Sequence, residues 1–289
     1  MSKKILSYAA LILFVLNIYA WQEVFALADN SYLKVNFLSV GQGDSTFIET
    51  PQHHQILIDG GPNLDVLSKL KSSMPKEDRT IDLVILSHPE RDHFFGLMEV
   101  LKQYRIEYIL WSGVVRDTPE YKEWISLLDK AEENGTKVLI TKVNQEITLG
   151  NVAIDTIYPL EDLSGQELKN TSNNSCVVSR LIFGDNSFLF TGDISFNEEK
   201  DIVISQDDIE SGVLKVAHHG SKYSTSELFL NSIEPVIAVI SVGKNSYGHP
   251  SPEALQRLDK FGIKVLRTDA DGDVQIVSDG SNIKINKDN

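Results

Sequence analysis

From Leu33 to Ser278 the chain alternates short apolar runs with turns and amphipathic helical segments, and this alternation constrains its fold most strongly. Runs such as Leu83–Leu86 are apolar throughout, which is typical of strands covered on both faces. Residues typical of helix ends lie between the apolar runs. For example, Ser251 is a typical N-cap residue, and Pro252 suits the first position of a helix. The pattern predicts one α/β domain with helices covering the sheets. The predicted strands are Leu33–Leu38, Thr46–Glu49, Ile56–Asp59, Leu83–Ser87, Tyr108–Trp111, Lys137–Thr141, Val152–Tyr158, Val177–Phe183, Ser187–Thr191, Val213–Ala217, Val236–Ser241, Lys264–Leu266 and Val274–Ser278.

The composition allows a packed core but argues against several classes of protein. Apolar residues make up 42% of the 289 residues, and the single cysteine, Cys176, excludes an internal disulfide. The formal net charge is −14, and an acidic protein does not hold nucleic acid by bulk electrostatics, because phosphate contacts need a basic surface. A nucleic-acid substrate would have to be held by metal ions and a few local cations. The candidate cations, each of which can equally be an ordinary surface charge, are Lys215, Lys222, Lys244 and Arg267.

The N-terminus has the layout of a secretory signal peptide. Lys3 and Lys4 precede a mostly apolar run, Ile5–Trp21, and small residues follow at Ala26 and Ala28. These are the charged, apolar and cleavage-site regions of such a peptide. The apolar run is near the lower limit of length for spanning a bilayer, so an uncleaved membrane anchor is the slightly favoured alternative.

We therefore expect residues 1–28 to be a signal peptide or an N-terminal membrane anchor and residues 29–289 to form a single domain. Either alternative places the domain outside the cytoplasm, where it is secreted or anchored to the membrane by its N-terminal segment.

A group of potential metal ligands follows the apolar run that ends at Leu86. Between His88 and His93 the sequence contains two histidines, Glu90 and Asp92. The end of a strand is a good place for such side chains, because the backbone there is already fixed. A lone pair of histidines at this spacing would favour a polar turn, whereas four ligating residues in one turn favour a metal site.

Three more polar groups follow predicted strands. Asp193 could bridge two cations or cap the next helix. His218 and His219 form a pair that rarely serves a core role, and Gly220 lets the backbone approach closely. His249 could ligate a metal, donate a proton or bind a phosphate oxygen. Histidine and carboxylate ligands suit Zn²⁺ or Mn²⁺, so we expect one or two divalent ions that activate water.

These motifs resemble the metallo-β-lactamase superfamily, whose hallmark is His-x-His-x-Asp-His after a strand. Here the motif runs from His88 to His93, and Glu90 stands in place of the second histidine. With this departure the chain resembles one branch, the extracytoplasmic nuclease-like domain of ComEC-type competence proteins, which take up DNA. The other segments that carry the resemblance are Val40–Ser45, Ile58–Gly61, His218–Lys222, Ser241–Asn245, Gly248–Pro252 and Arg267–Asp269.

The resemblance implies a four-layer αβ/βα sandwich with a dinuclear metal centre at the sheet edges. No histidine lies between Asp155 and Asp193, where the family has its middle ligand, so one metal site is weakened. Asn174 is the candidate substitute. The other implied metal ligands are His88, Glu90, Asp92, His93, Asp193 and one of His218 and His219.

The leading interpretation is a metal-dependent phosphodiesterase, a nuclease that acts on DNA outside the cytoplasm in competence or DNA uptake. Asp92 would orient the attacking water and His249 would act in catalysis. Ser221 and Lys222 would hold phosphate. Asp59 and Asp44 would border the site and orient its ligands.

Two alternatives stay open: a hydrolase of another substrate, such as a lactone or thioester, and a non-catalytic, metal-poor binding module of the same fold. ComEC-type proteins also carry a channel of many membrane helices. We therefore expect nucleic acid as substrate, the membrane as a contact of the N-terminal segment, and a separate DNA-uptake channel protein as partner.

Overall fold

The computed structural model describes residues 3–28, 32–169, 171–206 and 208–287. The first helix, α1, spans Lys3–Ala28, and its side chains are described at Ile5 and from Ser7 to Trp21. The predicted cleavage site, at Ala26 and Ala28, lies outside the described side chains. Within the part of the chain that the structure describes, no helix is long and apolar enough to cross a membrane.

The described residues contain fifteen strands and eight α-helices. The strands are β1 (Leu33–Phe37), β2 (Thr46–Glu49), β3 (Gln55–Ile58), β4 (Thr80–Ile85), β5 (Arg105–Trp111), β6 (Lys137–Ile140), β7 (Glu146–Leu149), β8 (Val152–Tyr158), β9 (Val178–Phe183), β10 (Asn186–Phe190), β11 (Val213–Lys215), β12 (Ile237–Ile240), β13 (Lys264–Arg267), β14 (Val274–Ser278) and β15 (Ile283–Lys287). The helices after α1 are α2 (Asp65–Ser73), α3 (Arg91–Gln103), α4 (Pro119–Glu133), α5 (Phe196–Ser205), α6 (Glu227–Ile233), α7 (Pro252–Lys260) and α8 (Thr268–Asp271).

The strands form two mixed sheets. The order is β15-β14-β1-β2-β3-β4-β5-β6 in the first and β13-β12-β11-β10-β9-β8-β7 in the second. Strands β3 to β6 are parallel to one another, and so are β10 to β13. Parallel strands end at the same edge of a sheet, so the loops after β3 and β4 are neighbours, and so are those after β10, β11 and β12.

Three apolar layers hold the sheets and helices together. The inner layer lies between the two sheets and includes Phe37 and Phe190, whose ring centroids are 6.1 Å apart. A second layer packs the first sheet against helices α2 to α4; in it Trp124 meets Phe94 edge-on at 6.2 Å. A third packs the other sheet against α5 to α7 around residues such as Phe229. This helix–sheet–sheet–helix arrangement confirms the four-layer αβ/βα sandwich.

Two strands end two residues earlier than the sequence predicts. β4 stops at Ile85, because the backbone N–H of Ser87 donates to Asp59 Oδ1 instead of to a neighbouring strand. β11 stops at Lys215, because residues 217–220 turn in a 3₁₀ conformation. Strands β7 and β15 were not predicted. Neither contains a buried residue, so neither stands out as an apolar run.

Candidate metal centre

Histidine and aspartate side chains from three loops meet at one edge of the sandwich, where strands of both sheets end. The turn from β4 into α3 carries His88, Asp92 and His93. Asp193 comes after β10, and His218–His219 comes after β11. One ligand atom from each of four residues lies within 4.8 Å of the others; these residues are Asp92, His93, Asp193 and His219.

The carboxylate of Asp193 is the centre of this group. Its Oδ1 lies 3.3 Å from His93 Nε2, and its Oδ2 lies 3.6 Å from His219 Nε2. His218 Nε2 and His88 Nε2 lie 3.8 Å and 4.0 Å from the same Oδ2. Four imidazole nitrogens therefore surround one buried carboxylate, and the bridging role of Asp193 stays a prediction.

The outer nitrogens of two of these imidazoles are held by a buried hydrogen-bond network. His93 Nδ1 lies 2.8 Å from Asp59 Oδ2, and His88 Nδ1 lies 3.0 Å from Ser87 Oγ. The Ser87 hydroxyl also donates to Asp59 Oδ2, at 2.6 Å. Such partners fix the orientation of a metal-ligating histidine and turn its other nitrogen to the metal. Asp59 thus contacts His93 directly and His88 through Ser87, and its role in orienting metal ligands stays a prediction.

Several buried atoms of the group make no well-formed hydrogen bond, although two of them, His93 Nε2 and Asp193 Oδ1, lie 3.3 Å apart. They are His88 Nε2, His93 Nε2 and Asp193 Oδ1. A buried polar atom without a partner costs folding free energy and calls for an explanation. A divalent cation explains it, since imidazole nitrogens and carboxylate oxygens ligate Zn²⁺ and Mn²⁺. The residues therefore fit a metal ion, which His88, Asp92, His93, Asp193 and His219 would hold.

The backbone at the histidine pair is strained. His218 and His219 have φ values of 50° and 53°, in the left-handed region that residues other than glycine rarely adopt. The strained turn is held in place by a hydrogen bond from His218 N to Gly192 O at 3.1 Å. Its other side packs so tightly that a Cβ on Gly220 would lie 2.7 Å from Pro250 Cβ. Adjacent strained histidines indicate a site for which geometry matters more than local stability.

The same geometry separates the roles of the two histidines. His219 is buried, belongs to the four-residue group, and lies 3.3 Å from Asp92 Oδ2. The His218 side chain keeps 34% of its surface exposed. His219 therefore lies within the centre and His218 lies at its open side, and which of them ligates a metal stays a prediction.

A buried lysine supports His219, and its role was not predicted. Lys215 Nζ donates to Asp44 Oδ2, and both side chains are almost fully buried. Asp44 Oδ1 lies 3.3 Å from His219 Nδ1, and Asp44 Oδ2 lies 3.7 Å from His93 Nδ1. His219 Nδ1 also lies 2.8 Å from Ser241 O. The interpretation of Lys215 as a surface cation for nucleic acid is wrong, because Lys215 is buried. Its burial could have been inferred from the sequence, since Lys215 is a lone lysine within an apolar strand.

Two predicted ligands are not brought into the group. Glu90 Oε1 accepts hydrogen bonds from the Ser172 amide and hydroxyl, both at 2.9 Å, and lies 3.2 Å from an Arg116 guanidinium nitrogen. Asn174 is exposed, and its backbone oxygen accepts from the Tyr158 hydroxyl at 3.0 Å. The structure places both side chains elsewhere, so their metal-binding roles stay predictions.

His249 lies at the open side of the centre. Its ring centroid is 5.5 Å from that of His218 and 6.5 Å from that of His219. The Asn245 side chain fixes the loop: it donates to His249 O at 2.7 Å and accepts from His249 N at 3.1 Å. We call the opening bounded by His218 and His249 the mouth of the site.

The two predicted phosphate-binding residues differ in exposure. Ser221 is buried, and its hydroxyl accepts from the Tyr223 backbone N–H at 3.3 Å. Lys222 is exposed, with its ammonium group 5.0 Å from the centroid of the Tyr223 ring. Of the two, Lys222 is the one that a phosphate can reach.

The electrostatics of the group follow from burying carboxylates beside imidazoles. Burial alone would raise the pKa of Asp193, but His219 and His93 outweigh it and hold that pKa well below its usual range. Burial opposes protonation of His219, yet Asp193 and Asp44 raise its pKa to about 10. The pKa of His93 also rises well above its usual value, against burial, because of Asp193 and Asp59. Burial and the neighbouring His93 lower the pKa of His88 to about 3.

Metal binding is therefore expected to release protons. The raised pKa values of His219 and His93 favour imidazolium in the metal-free protein near pH 7. A metal needs the neutral rings, so we expect about two protons to leave per ion. Calorimetric titration with Zn²⁺ in buffers of low and high ionisation enthalpy measures this number. His219→Ala should release about one proton fewer, whereas His88→Ala should weaken binding without changing the count, because His88 is already neutral. Equal heats in all buffers would contradict this assignment.

Comparison with known protein families and sequences relates the chain to hydrolases and competence proteins. Residues 38–244 match the family model described as the Metallo-beta-lactamase superfamily. ComE operon protein 3 of Bacillus subtilis (strain 168) is 32% identical over 262 residues, covering 84% of this chain and 32% of that protein. Competence protein ComA of Neisseria gonorrhoeae is 31% identical over 246 residues, covering 83% of this chain and 32% of that protein. The chain thus spans about a third of the length of these curated relatives.

Solved structures support the fold. The metallo-beta-lactamase fold protein YhfI from Bacillus subtilis aligns with a TM-score of 0.54 at 15% identity, covering 84% of this chain and 99% of that one. Igni18, a metallo hydrolase from the archaeon Ignicoccus hospitalis, aligns with a TM-score of 0.52 at 14% identity, covering 84% of this chain and 98% of that one. At such low identity the likeness establishes the architecture alone.

Proposed function

The chain belongs to the metallo-beta-lactamase superfamily of hydrolases, and on that premise we propose that it is a metal-dependent phosphodiesterase that cleaves DNA outside the cytoplasm. The observation that carries this proposal is the compact set of ligand atoms from Asp92, His93, Asp193 and His219, all within 4.8 Å of one another. This set lies at the shared sheet edge, and His218 keeps part of its surface exposed at the open side.

The residues of the centre have distinct tasks in this proposal. A bound divalent ion supplies Lewis acidity, which lowers the pKa of water and stabilises negative charge on phosphate oxygens. Asp92 is the most exposed carboxylate of the group, with 35% of its side chain accessible, so it can orient the attacking water. The Asp92 carboxylate is itself oriented by His219, 3.3 Å away.

His249 is placed to act on the other side of the phosphate. Its loop is fixed by Asn245, and its ring contacts the His218 ring at the mouth. From there it can donate a proton to the leaving oxygen or hold a phosphate oxygen. Lys222, exposed on the neighbouring loop, provides a positive charge for the same phosphate.

The choice of DNA rests on the relatives rather than on charge. One relative is the competence protein ComA, and a Haemophilus influenzae protein that is 27% identical is named Recombination protein 2. A net charge of −14 supplies no general attraction to phosphate. Metal ions and a few cations at the mouth would therefore have to hold the substrate.

Contact of α1 with a membrane is supported by the surface of this helix. Large apolar side chains on this helix are more than half exposed, among them Leu11, Ile12, Leu13 and Phe14. An apolar surface of this kind needs an apolar partner. We propose that a membrane covers this surface, that the domain acts outside the cytoplasm, and that a separate DNA-uptake channel protein lies beside it.

A cleavage assay tests the proposal. The full chain in mild detergent, stripped of metal, is incubated with labelled single- and double-stranded DNA and with Mn²⁺, Zn²⁺, Mg²⁺ or EDTA. We expect cleavage that requires the metal and disappears in Asp92→Ala. As a matched control, Asp129→Ala, an exposed aspartate on α4, should cleave like the unaltered chain.

Two other outcomes would overturn the nuclease proposal. Tight binding of DNA without cleavage under any metal would indicate a metal-poor binding module, for which the exposed position of Asn174 is the structural argument. Turnover of a lactone or thioester with no turnover of DNA would indicate a hydrolase of a different substrate.

A further inference from the structure

Two exposed tyrosines lie on the chain segments that carry the mouth histidines, His218 and His249. The Tyr247 side chain is 75% exposed and the Tyr223 side chain is 63% exposed. Tyr223 lies five residues after His218, and Tyr247 lies two residues before His249. Large aromatic rings this exposed contribute little to a core, so their position beside the mouth calls for another explanation.

A row of rings leads from Tyr247 into the centre. The Tyr247 and His249 centroids are 5.9 Å apart, and the His249 and His218 centroids are 5.5 Å apart. His218 Nε2 in turn lies 3.8 Å from Asp193 Oδ2. A nucleotide whose base rests on Tyr247 would therefore have its backbone directed towards the metal ligands.

The loops that carry the tyrosines are held firmly. The Arg257 guanidinium donates to Lys222 O at 3.2 Å and to Ser224 O at 2.8 Å, on the two sides of Tyr223. The Tyr247 backbone N–H donates to Asn245 Oδ1 at 3.1 Å. Both rings are thus presented to solvent on a fixed backbone, which reduces the entropy lost when a ligand stacks on them.

Positive charges accompany the rings. Lys222 Nζ lies 5.0 Å from the Tyr223 ring centroid, and Lys222 and Lys244 are both exposed on the tyrosine-bearing loops. An acidic chain has few other ways to hold a polyanion. Stacking on an aromatic ring does not depend on charge, whereas duplex binding relies on many phosphate contacts.

We propose that Tyr223 and Tyr247 form a stacking platform that selects single-stranded DNA, with unpaired bases on the rings and the adjoining phosphates at Lys222 and the mouth. This substrate class rests on the proposed nuclease function. A duplex buries its base faces within its own stack, so the platform can engage it only at frayed ends. Unpaired bases stack on aromatic side chains with little regard to sequence, and the platform should be equally tolerant.

Binding measurements on the full chain test the platform. Fluorescence anisotropy compares a labelled single strand, the matching duplex, and an abasic strand that has the phosphate backbone without bases. EDTA prevents cleavage, and the series is repeated with Asp92→Ala in buffer that contains the divalent metal. Tyr247→Ala and Tyr223→Ala should each weaken single-strand binding by about 5- to 100-fold, the range for loss of one stacked base.

Matched variants separate stacking from other effects. Tyr247→Phe and Tyr223→Phe keep the ring and should bind within about twofold of the unaltered chain. Tyr108→Ala removes another exposed tyrosine with a lysine over its ring, at 4.9 Å from Lys137 Nζ, but on β5 away from the mouth loops. It should leave binding unchanged. The abasic strand should bind weakly, and equally to all of these proteins.

The dependence on salt provides a second measurement. With two phosphate contacts, at Lys222 and Lys244, the slope of log K against log salt should be about −1.4 for a single strand. A slope steeper than about −4 would mean that backbone contacts dominate, and would overturn the platform.

The stacking-platform proposal and the nuclease proposal can be tested separately. Metal-dependent cleavage with a preference for duplex, unaffected by either alanine change, would overturn the platform and leave the nuclease standing. Tyrosine-dependent binding of single strands without cleavage under any metal would support the platform and overturn the nuclease.

Discussion

Replacing Asp193 by asparagine is expected to abolish tight metal binding and to lower the rate of DNA cleavage by on the order of 10³-fold, since metal stabilisation of a transition state is worth several kcal/mol. Asp193 Oδ2 lies within 4.0 Å of the Nε2 atoms of His88, His218 and His219, and Oδ1 lies 3.3 Å from His93 Nε2. Asparagine keeps the shape of this side chain but removes the negative charge that a divalent ion needs.

The measurement has two parts, metal content after dialysis and single-turnover cleavage. Asp201→Asn makes the same chemical change at an exposed position on α5 and should leave both unchanged. Circular dichroism of both variants shows whether the fold persists. A folded Asp193→Asn protein that retains its metal and cleaves at the original rate would exclude Asp193 from the centre.

The general position of this centre could be predicted because its residues follow apolar strands. The strand that ends at Ile85 is buried throughout its second half, and His88 comes three residues later. Parallel strands end at a common edge, so a sequence with ligands after several apolar strands predicts their convergence. Asp193 does not cap the next helix, because Ser195 caps α5 together with Glu198.

The partners of individual side chains could not be predicted in the same way. Spacing places Glu90 among the ligands, yet its carboxylate is bound by Ser172, which lies 82 residues away in the chain. Similarly, Lys215 pairs with Asp44 across 171 residues. Such contacts depend on how the two sheets pack, and no local pattern of residues determines that packing. The choice between His218 and His219 likewise depends on a strained backbone that a residue pattern does not reveal.

Replacing Lys215 by methionine is expected to lower the free energy of unfolding by about 3–5 kcal/mol, the usual cost of removing one partner of a buried ion pair. Methionine fills a similar volume, so the loss would come from charge rather than from packing. Burial raises the pKa of Asp44, and the Lys215 ammonium group lowers it. In Lys215→Met the Asp44 carboxylate would stay almost fully buried without that ammonium group. Because Asp44 contacts His219 Nδ1 at 3.3 Å, metal affinity should fall as well.

A double-mutant cycle separates the ion pair from a general defect in the core. Denaturant unfolding of Lys215→Met, Asp44→Asn and the double variant should show the double variant to be more stable than Lys215→Met alone, because the carboxylate that lost its ammonium partner is then absent. Lys264→Met, at an exposed position on β13 of the same sheet, should change stability by no more than about 0.5 kcal/mol. If Lys215→Met proves as stable as Lys264→Met, then the lysine does not stabilise Asp44. In that case the support of His219 must come from Ser241 O, which lies 2.8 Å from its Nδ1.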